Sequence, residues 1–96
     1  MASGLGTALI DFGSTPANEA SAEVIGQTGI LAGSAVEAWV TARTTADNTA
    51  NDHHQAAVNL RLVCSQPTEG VGFTITAYCL IGYATGQFEI DWIWSD

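Results

Sequence analysis

The run Gln87–Trp94, QFEIDWIW, sets Phe88, Ile90, Trp92 and Trp94 against Gln87, Glu89, Asp91 and Ile93. Successive side chains of an extended chain point to opposite sides, so alternation of this kind marks a half-buried β-strand. Residues Gly72–Gly82, GFTITAYCLIG, repeat it, with Phe73, Ile75, Ala77, Cys79 and Ile81 on one side and Thr74, Thr76, Tyr78 and Leu80 on the other. Further back, VNLRLVCS places Val58, Leu60, Leu62 and Cys64 opposite Asn59, Arg61, Val63 and Ser65. VEAWVTAR places Val36, Ala38, Val40 and Ala42 opposite Glu37, Trp39, Thr41 and Arg43. All four runs are rich in the β-branched and aromatic residues that suit a pleated surface.

Two weaker strands are expected before these, at Thr7–Phe12 and Ala22–Gly29, with TPANEASA between them read as a loop or a single helical turn. No segment has the length and period of a crossover helix, which disfavours a parallel sheet. The expected fold is all-β: residues 1–96 as one antiparallel β-sandwich or small barrel of about six to eight strands.

Composition narrows the function. Hydrophobic residues make up 47% of the 96 residues and charged residues 12%, which excludes a disordered chain. Ten acidic residues face two basic ones, for a net charge of -8, and there is no lysine. Such a chain cannot neutralise a phosphate backbone, so no nucleic-acid partner is expected. Anionic membrane surfaces are disfavoured by the same sign, and no apolar run approaches the roughly 18 residues of a membrane span. The opening MASGLGTALIDF has no basic region and only a short apolar stretch, so the expectation is a protein made in the cytoplasm without a signal peptide. A domain of this size buries little surface, and oligomerisation or docking on a larger body is a natural further source of stability.

Chemistry is sparse. His53 and His54 are adjacent, and neighbouring side chains diverge on a strand or a helix, so they do not suit one metal ion. They are read as part of a solvated polar loop, Thr44–Ala57, in which Asn51 would cap a short helix ending near Ala57. Cys64 and Cys79 share the inward parity; they are expected as buried free thiols, with a bridge open if their strands bring them together. Glu89 and Asp91 share a strand face without any supporting motif, and Gly4-Leu5-Gly6 and Gly70-Val71-Gly72 read as turns. No nucleophile elbow is present. No catalytic residue, metal or cofactor is expected, and the chain is not read as an enzyme.

The outward parity is more informative. Trp39, Val63, Leu80 and Ile93 are apolar there, and Tyr78 joins them. An exposed apolar patch marks a partner, so these residues are the expected interface, with Asp52, His53 and His54 of the long loop contributing. Trp39 and Tyr78 could alternatively stack a sugar ring in a carbohydrate-binding sandwich.

The order of short motifs is IDFG at Ile10–Gly13, VIGQ at Val24–Gln27 and GSAVEAW at Gly33–Trp39. TADNTANDHH at Thr45–His54, GFTI at Gly72–Ile75 and WIWS at Trp92–Ser95 follow. In this order the chain resembles a group of small proteins encoded among the virion genes of tailed bacteriophages. The resemblance implies a virion structural component and carries over no site residues. Within that class the expected role is a capsid decoration (cement) protein on the major capsid protein, located on the virion surface. A homo-oligomer is expected there, with a trimer to match three-fold sites; a small tail or head–tail protein is the alternative.

Overall fold

The computed structural model describes residues 2–41, 45 and 48–96; within them, the side chains of His54 and Ala57 fall outside the description. Six strands and one helix follow in the order β1 (Ser3–Asp11), β2 (Glu19–Val24), β3 (Ala35–Val40), α1 (Ala50–Asn59), β4 (Leu60–Cys64), β5 (Phe73–Cys79) and β6 (Gln87–Ser95). They form two three-stranded antiparallel sheets, β1-β6-β3 and β2-β5-β4. The sheets stack so that β1 runs beside β2 and β3 beside β4, giving a body of 38 × 20 × 19 Å. The protein is an all-β sandwich.

The layering follows from side-chain size. The two central strands supply the bulk of the core: Phe88, Ile90, Trp92 and Trp94 from β6, and Phe73 and Ile75 from β5, all buried. The edge strands supply mostly smaller partners. Trp94 lies between Gly4 and Val36 in the register, Trp92 between Gly6 and Ala38, and Ile90 between Ala8 and Val40. In the other sheet Ile75 lies between Ala22 and Cys64. Large beside small lets the two sheets approach closely around the bulky central side chains. Phe73 meets Trp92 edge-on at 5.7 Å across the sheets, and Phe12 meets Phe88 edge-on at 5.9 Å.

The two glycines of β1 correct their reading as a turn. A Cβ on Gly6 would stand 2.6 Å from Cζ2 of Trp92, and one on Gly4 would collide with Nε1 of Trp94. Their lack of a side chain is what seats the indoles, so the strand runs straight through them and starts at Ser3. Gly70-Val71-Gly72 does form a turn. Gly72 has φ 155°, and any Cβ there would run into the Val24 carbonyl.

Other boundaries shift for related reasons. Segment TPANEASA holds no helical turn; its second half is β2, where Ala20 and Ala22 face Ala77 and Ile75. Small inward residues hide a strand from a hydrophobicity reading. β4 begins at Leu60, because the preceding helix continues through Asn59. Val58 is therefore helical and exposed instead of inward-facing, and Ile81 lies beyond the end of β5, exposed as well. Ala42 and Arg43, expected to extend β3, lie outside the described residues.

Cys64 pairs in register with Ile75, and Cys79 with Leu60, so the thiols sit at opposite ends of the β4–β5 ladder. Four residues of strand separate them by about 13 Å, beyond the roughly 7 Å Cα limit of a disulfide. Both cysteines are free, and both are half-buried where full burial was expected. Burial raises the Cys64 thiol above the ordinary cysteine value, with the Glu37 carboxylate adding to the effect; burial alone raises Cys79.

Two measurements test this packing. Gly6→Ala is expected to destabilise the fold by about 1–3 kcal/mol through overpacking against Trp92, read as a lower urea midpoint. A thiolate-directed reagent is expected to label the native chain more slowly than the denatured chain at neutral pH, with both cysteines reacting after denaturation without reductant. Each raised thiol contributes stability below the unfolded cysteine value that is lost as pH rises through the folded one, so alkaline pH weakens the fold.

Candidate docking surfaces and the buried histidine

The outward residues of β1, β6 and β3 form rows across one sheet. Leu5, Ile93 and Glu37 make one row, Thr7, Asp91 and Trp39 the next, and Leu9 and Glu89 the one after. Leu5 is 78% exposed, Leu9 48%, Trp39 45% and Ile93 39%. This is an apolar strip on a rigid sheet, interrupted by carboxylates. The Asp91 carboxylate accepts a hydrogen bond from the Thr41 hydroxyl, which ties the strip to the chain leaving β3.

The other sheet presents Glu19, Tyr78 and Arg61 in one row, Ser21, Thr76 and Val63 in the next, and Glu23 and Thr74 after them. It is mainly polar. The expected interface is thus divided: Trp39 and Ile93 lie on one outer face, Val63 and Tyr78 on the other, and Leu80 lies past the end of β5. Trp39 and Tyr78 cannot stack one sugar ring between them. Leu5 was missed because the Gly4-Leu5-Gly6 turn reading left the start of β1 without a face, and Leu9 because the expected Thr7–Phe12 strand was given no inward and outward side.

Helix α1 departs furthest from the sequence reading. Its N-cap is Thr49 instead of Asn51: the Thr49 hydroxyl accepts from the Asp52 N–H at 3.1 Å, and the Asp52 carboxylate accepts from the Thr49 N–H at 2.8 Å. The reciprocal pair is a capping box, so Asp52 has a local structural task. The T-x-x-D spacing was the available signal.

His53 is fully buried, not solvated. Its Nδ1 lies 2.9 Å from the Thr49 carbonyl, and its Nε2 accepts the Glu89 N–H at 2.8 Å. That pairing makes Nδ1 the donor and the ring neutral. The imidazole also meets Phe88 edge-on at 5.2 Å. It therefore pins the first turn of α1 to β6, and neither nitrogen is available to a ligand. The side chain of His54 lies outside the described residues. Among the described residues, no cluster of three His, Cys, Asp or Glu side chains could hold a metal ion.

An open cleft of about 440 Å³ lies between α1 and the loop after β5, bordered by Asn48, Asp52, Gln55, Asn59 and Tyr83. Its polar groups are largely engaged. The Asn48 amide donates to the Thr85 and Gln87 carbonyls, and Asn59 pairs with the backbone of Ile81. These bonds hold the loop to the helix and to the residues leading into it.

No family model, no curated protein and no solved structure matches the chain.

His53→Ala is expected to cost about 2–4 kcal/mol, by opening a cavity and removing the hydrogen bond that the Glu89 N–H donates to the ring. Chemical denaturation reads it, and an unchanged midpoint would contradict the pinning role.

Proposed function

We propose that this chain is a virion structural protein of a tailed bacteriophage, a decoration protein that binds the outer surface of the major capsid protein lattice. The observation that carries the reading is the apolar strip of Leu5, Leu9, Ile93 and Trp39 on the outer face of β1-β6-β3. A sheet face is already ordered, so docking it costs little conformational entropy, and an aromatic at its margin is a suitable anchor. The ordered motifs from IDFG to WIWS support the virion assignment. The net charge of -8 suits a protein held in solution before assembly and a partner other than DNA.

Size adds a constraint. Three strands at about 4.8 Å spacing and nine residues at about 3.3 Å give a face on the order of 400 Å² in projection. Stable interfaces bury about 800 Å² per partner, so a single copy would bind weakly and several linked copies would bind well. That favours an oligomer on a repetitive shell.

Trp39→Asp tests the reading by co-sedimentation with capsids that lack the protein. It is expected to reduce binding about thirtyfold, the equivalent of a 2 kcal/mol anchor, while the circular dichroism stays unchanged. Undiminished binding, or absence of the protein from the exterior of the source particle by cryo-electron microscopy, would end it.

A further inference from the structure

A strand at the rim of a sheet leaves one row of backbone groups without a ladder, and what guards that row decides what can pair with it. The phase of the β1–β6 ladder follows from its two ends, where the Asp96 N–H donates to the Ala2 carbonyl at 3.1 Å and the Phe12 N–H to the Gly86 carbonyl at 3.0 Å. Bonding alternates along an antiparallel pair, so the even positions of β1 bond to β6. Ser3, Leu5, Thr7 and Leu9 turn their N–H and C=O groups the other way, and among the described residues no backbone group bonds to them there. All four are exposed. From Ser3 to Ile10 the strand has no proline and no charge. The Asp11 carboxylate is drawn into the turn that follows, where it accepts from the Gly13 N–H at 2.7 Å.

The other three edges are guarded. β3 and β4 lie on the opposite side of the sandwich, where α1 packs against both. β2 runs beside β1, and the Cys79 N–H donates to the Asn18 carbonyl, so its outward-bonding positions are Glu19, Ser21 and Glu23. Two copies of β2 paired about Ser21 would set Glu19 directly opposite Glu23 twice, and like charges so placed repel. β1 has the reverse arrangement. Its outward-bonding residues run Ser3, Leu5, Thr7, Leu9, Asp11, an order nearly the same in both directions about Thr7. Antiparallel pairing about a two-fold axis there sets Thr7 opposite Thr7, Leu5 opposite Leu9, and Ser3 opposite Asp11. Apolar meets apolar and hydroxyl meets carboxylate. The edge is complementary to itself.

We propose that β1 pairs with β1 of a second copy of this chain, joining two three-stranded sheets into one of six. This deepens the homo-oligomeric part of the reading above and rests on that reading only for its consequence at the shell. The two outer faces lie on the same side of the joined sheet, with Leu5 and Leu9 of both copies at the seam. The apolar strip doubles to about 800 Å², the area per partner of a stable interface.

Sedimentation velocity on the full chain over a range of concentrations tests it, together with amide hydrogen exchange followed residue by residue by NMR. A dimer is expected. The N–H groups of Leu5, Thr7 and Leu9 are expected to exchange at least about tenfold more slowly as it forms, while those of Gly6 and Ala8 are protected in monomer and dimer alike. Glu19 and Glu23 stand on the neighbouring strand, so about 1 M salt is expected to strengthen dimerisation by screening them. Thr7→Pro removes an outward N–H and none of the bonds to β6, and it is expected to weaken dimerisation at least about tenfold with unchanged circular dichroism. Should that variant misfold, the exchange pattern of the wild type decides. Trp39→Asp is expected to keep the dimer while weakening capsid binding, which separates failure of this contact from failure of the docking face. A chain monomeric at every concentration overturns the proposal. So does a dimer in which Leu5, Thr7 and Leu9 exchange freely, or one that a folded Thr7→Pro variant leaves intact. Protection of those three residues only when capsids are added to a monomeric chain also overturns it, and assigns the edge to a strand of the capsid protein.

Discussion

The indoles of Trp92 and Trp94 need a neighbour without side chains, and β1 provides it at Gly6 and Gly4. With the rings laid along that strand, the central strand β6 carries its bulk inward without pushing the sheets apart. Trp92 then reaches Phe73 of the opposite sheet, and the Trp94 Nε1 donates to the Gln27 side chain at 2.9 Å. Gln27 in turn donates its backbone N–H to Val71, so the β2–β3 loop and the β4–β5 turn are joined at the same end. Among the described residues the buried Trp92 Nε1 has no hydrogen-bond partner, a penalty that the packing of the ring has to offset.

The four strands with large alternating residues were legible because inward bulk and outward polarity set the period directly. β5 and β6 read almost as they stand, and Trp92 and Trp94 fall in the core as their parity requires. β1 and β2 were under-read for one shared reason. Their inward positions are Gly4, Gly6, Ala20 and Ala22, whose small size is meaningful only beside the large residues opposite. That is a property of pairs, and a single run of sequence does not contain it. Val58 and Ile81 erred the other way, since parity was carried past the point where the backbone stopped being extended.

The surfaces were legible one residue at a time but not as an arrangement. Parity placed Trp39, Val63, Tyr78 and Ile93 outward, and they are; which sheet each belongs to depends on strand order, which alternation does not determine. His53 shows the reverse failure. A histidine in a polar run reads as solvated, yet the helix brings it against Phe88 and gives each ring nitrogen a backbone partner. A neutral imidazole is here a two-ended strut between a helix cap and a strand, which no local spacing encodes.

The pairing of the first strand with the last has a consequence for how the molecule forms. Asp96 donates its N–H to the Ala2 carbonyl at 3.1 Å, and Ala2 donates to the Asp96 side chain across 94 positions of chain. Among the described residues β6 is the only partner of both β1 and β3 in their sheet, so neither has a ladder to join until it arrives. On the ribosome, the β4–β5 pair and then β2 can assemble early, while half the sandwich waits for the final segment to emerge. Such distant pairing makes for slow folding, with the apolar edges of β1 and β3 uncovered in the meantime. The net charge of -8 makes partly folded copies repel one another through that interval.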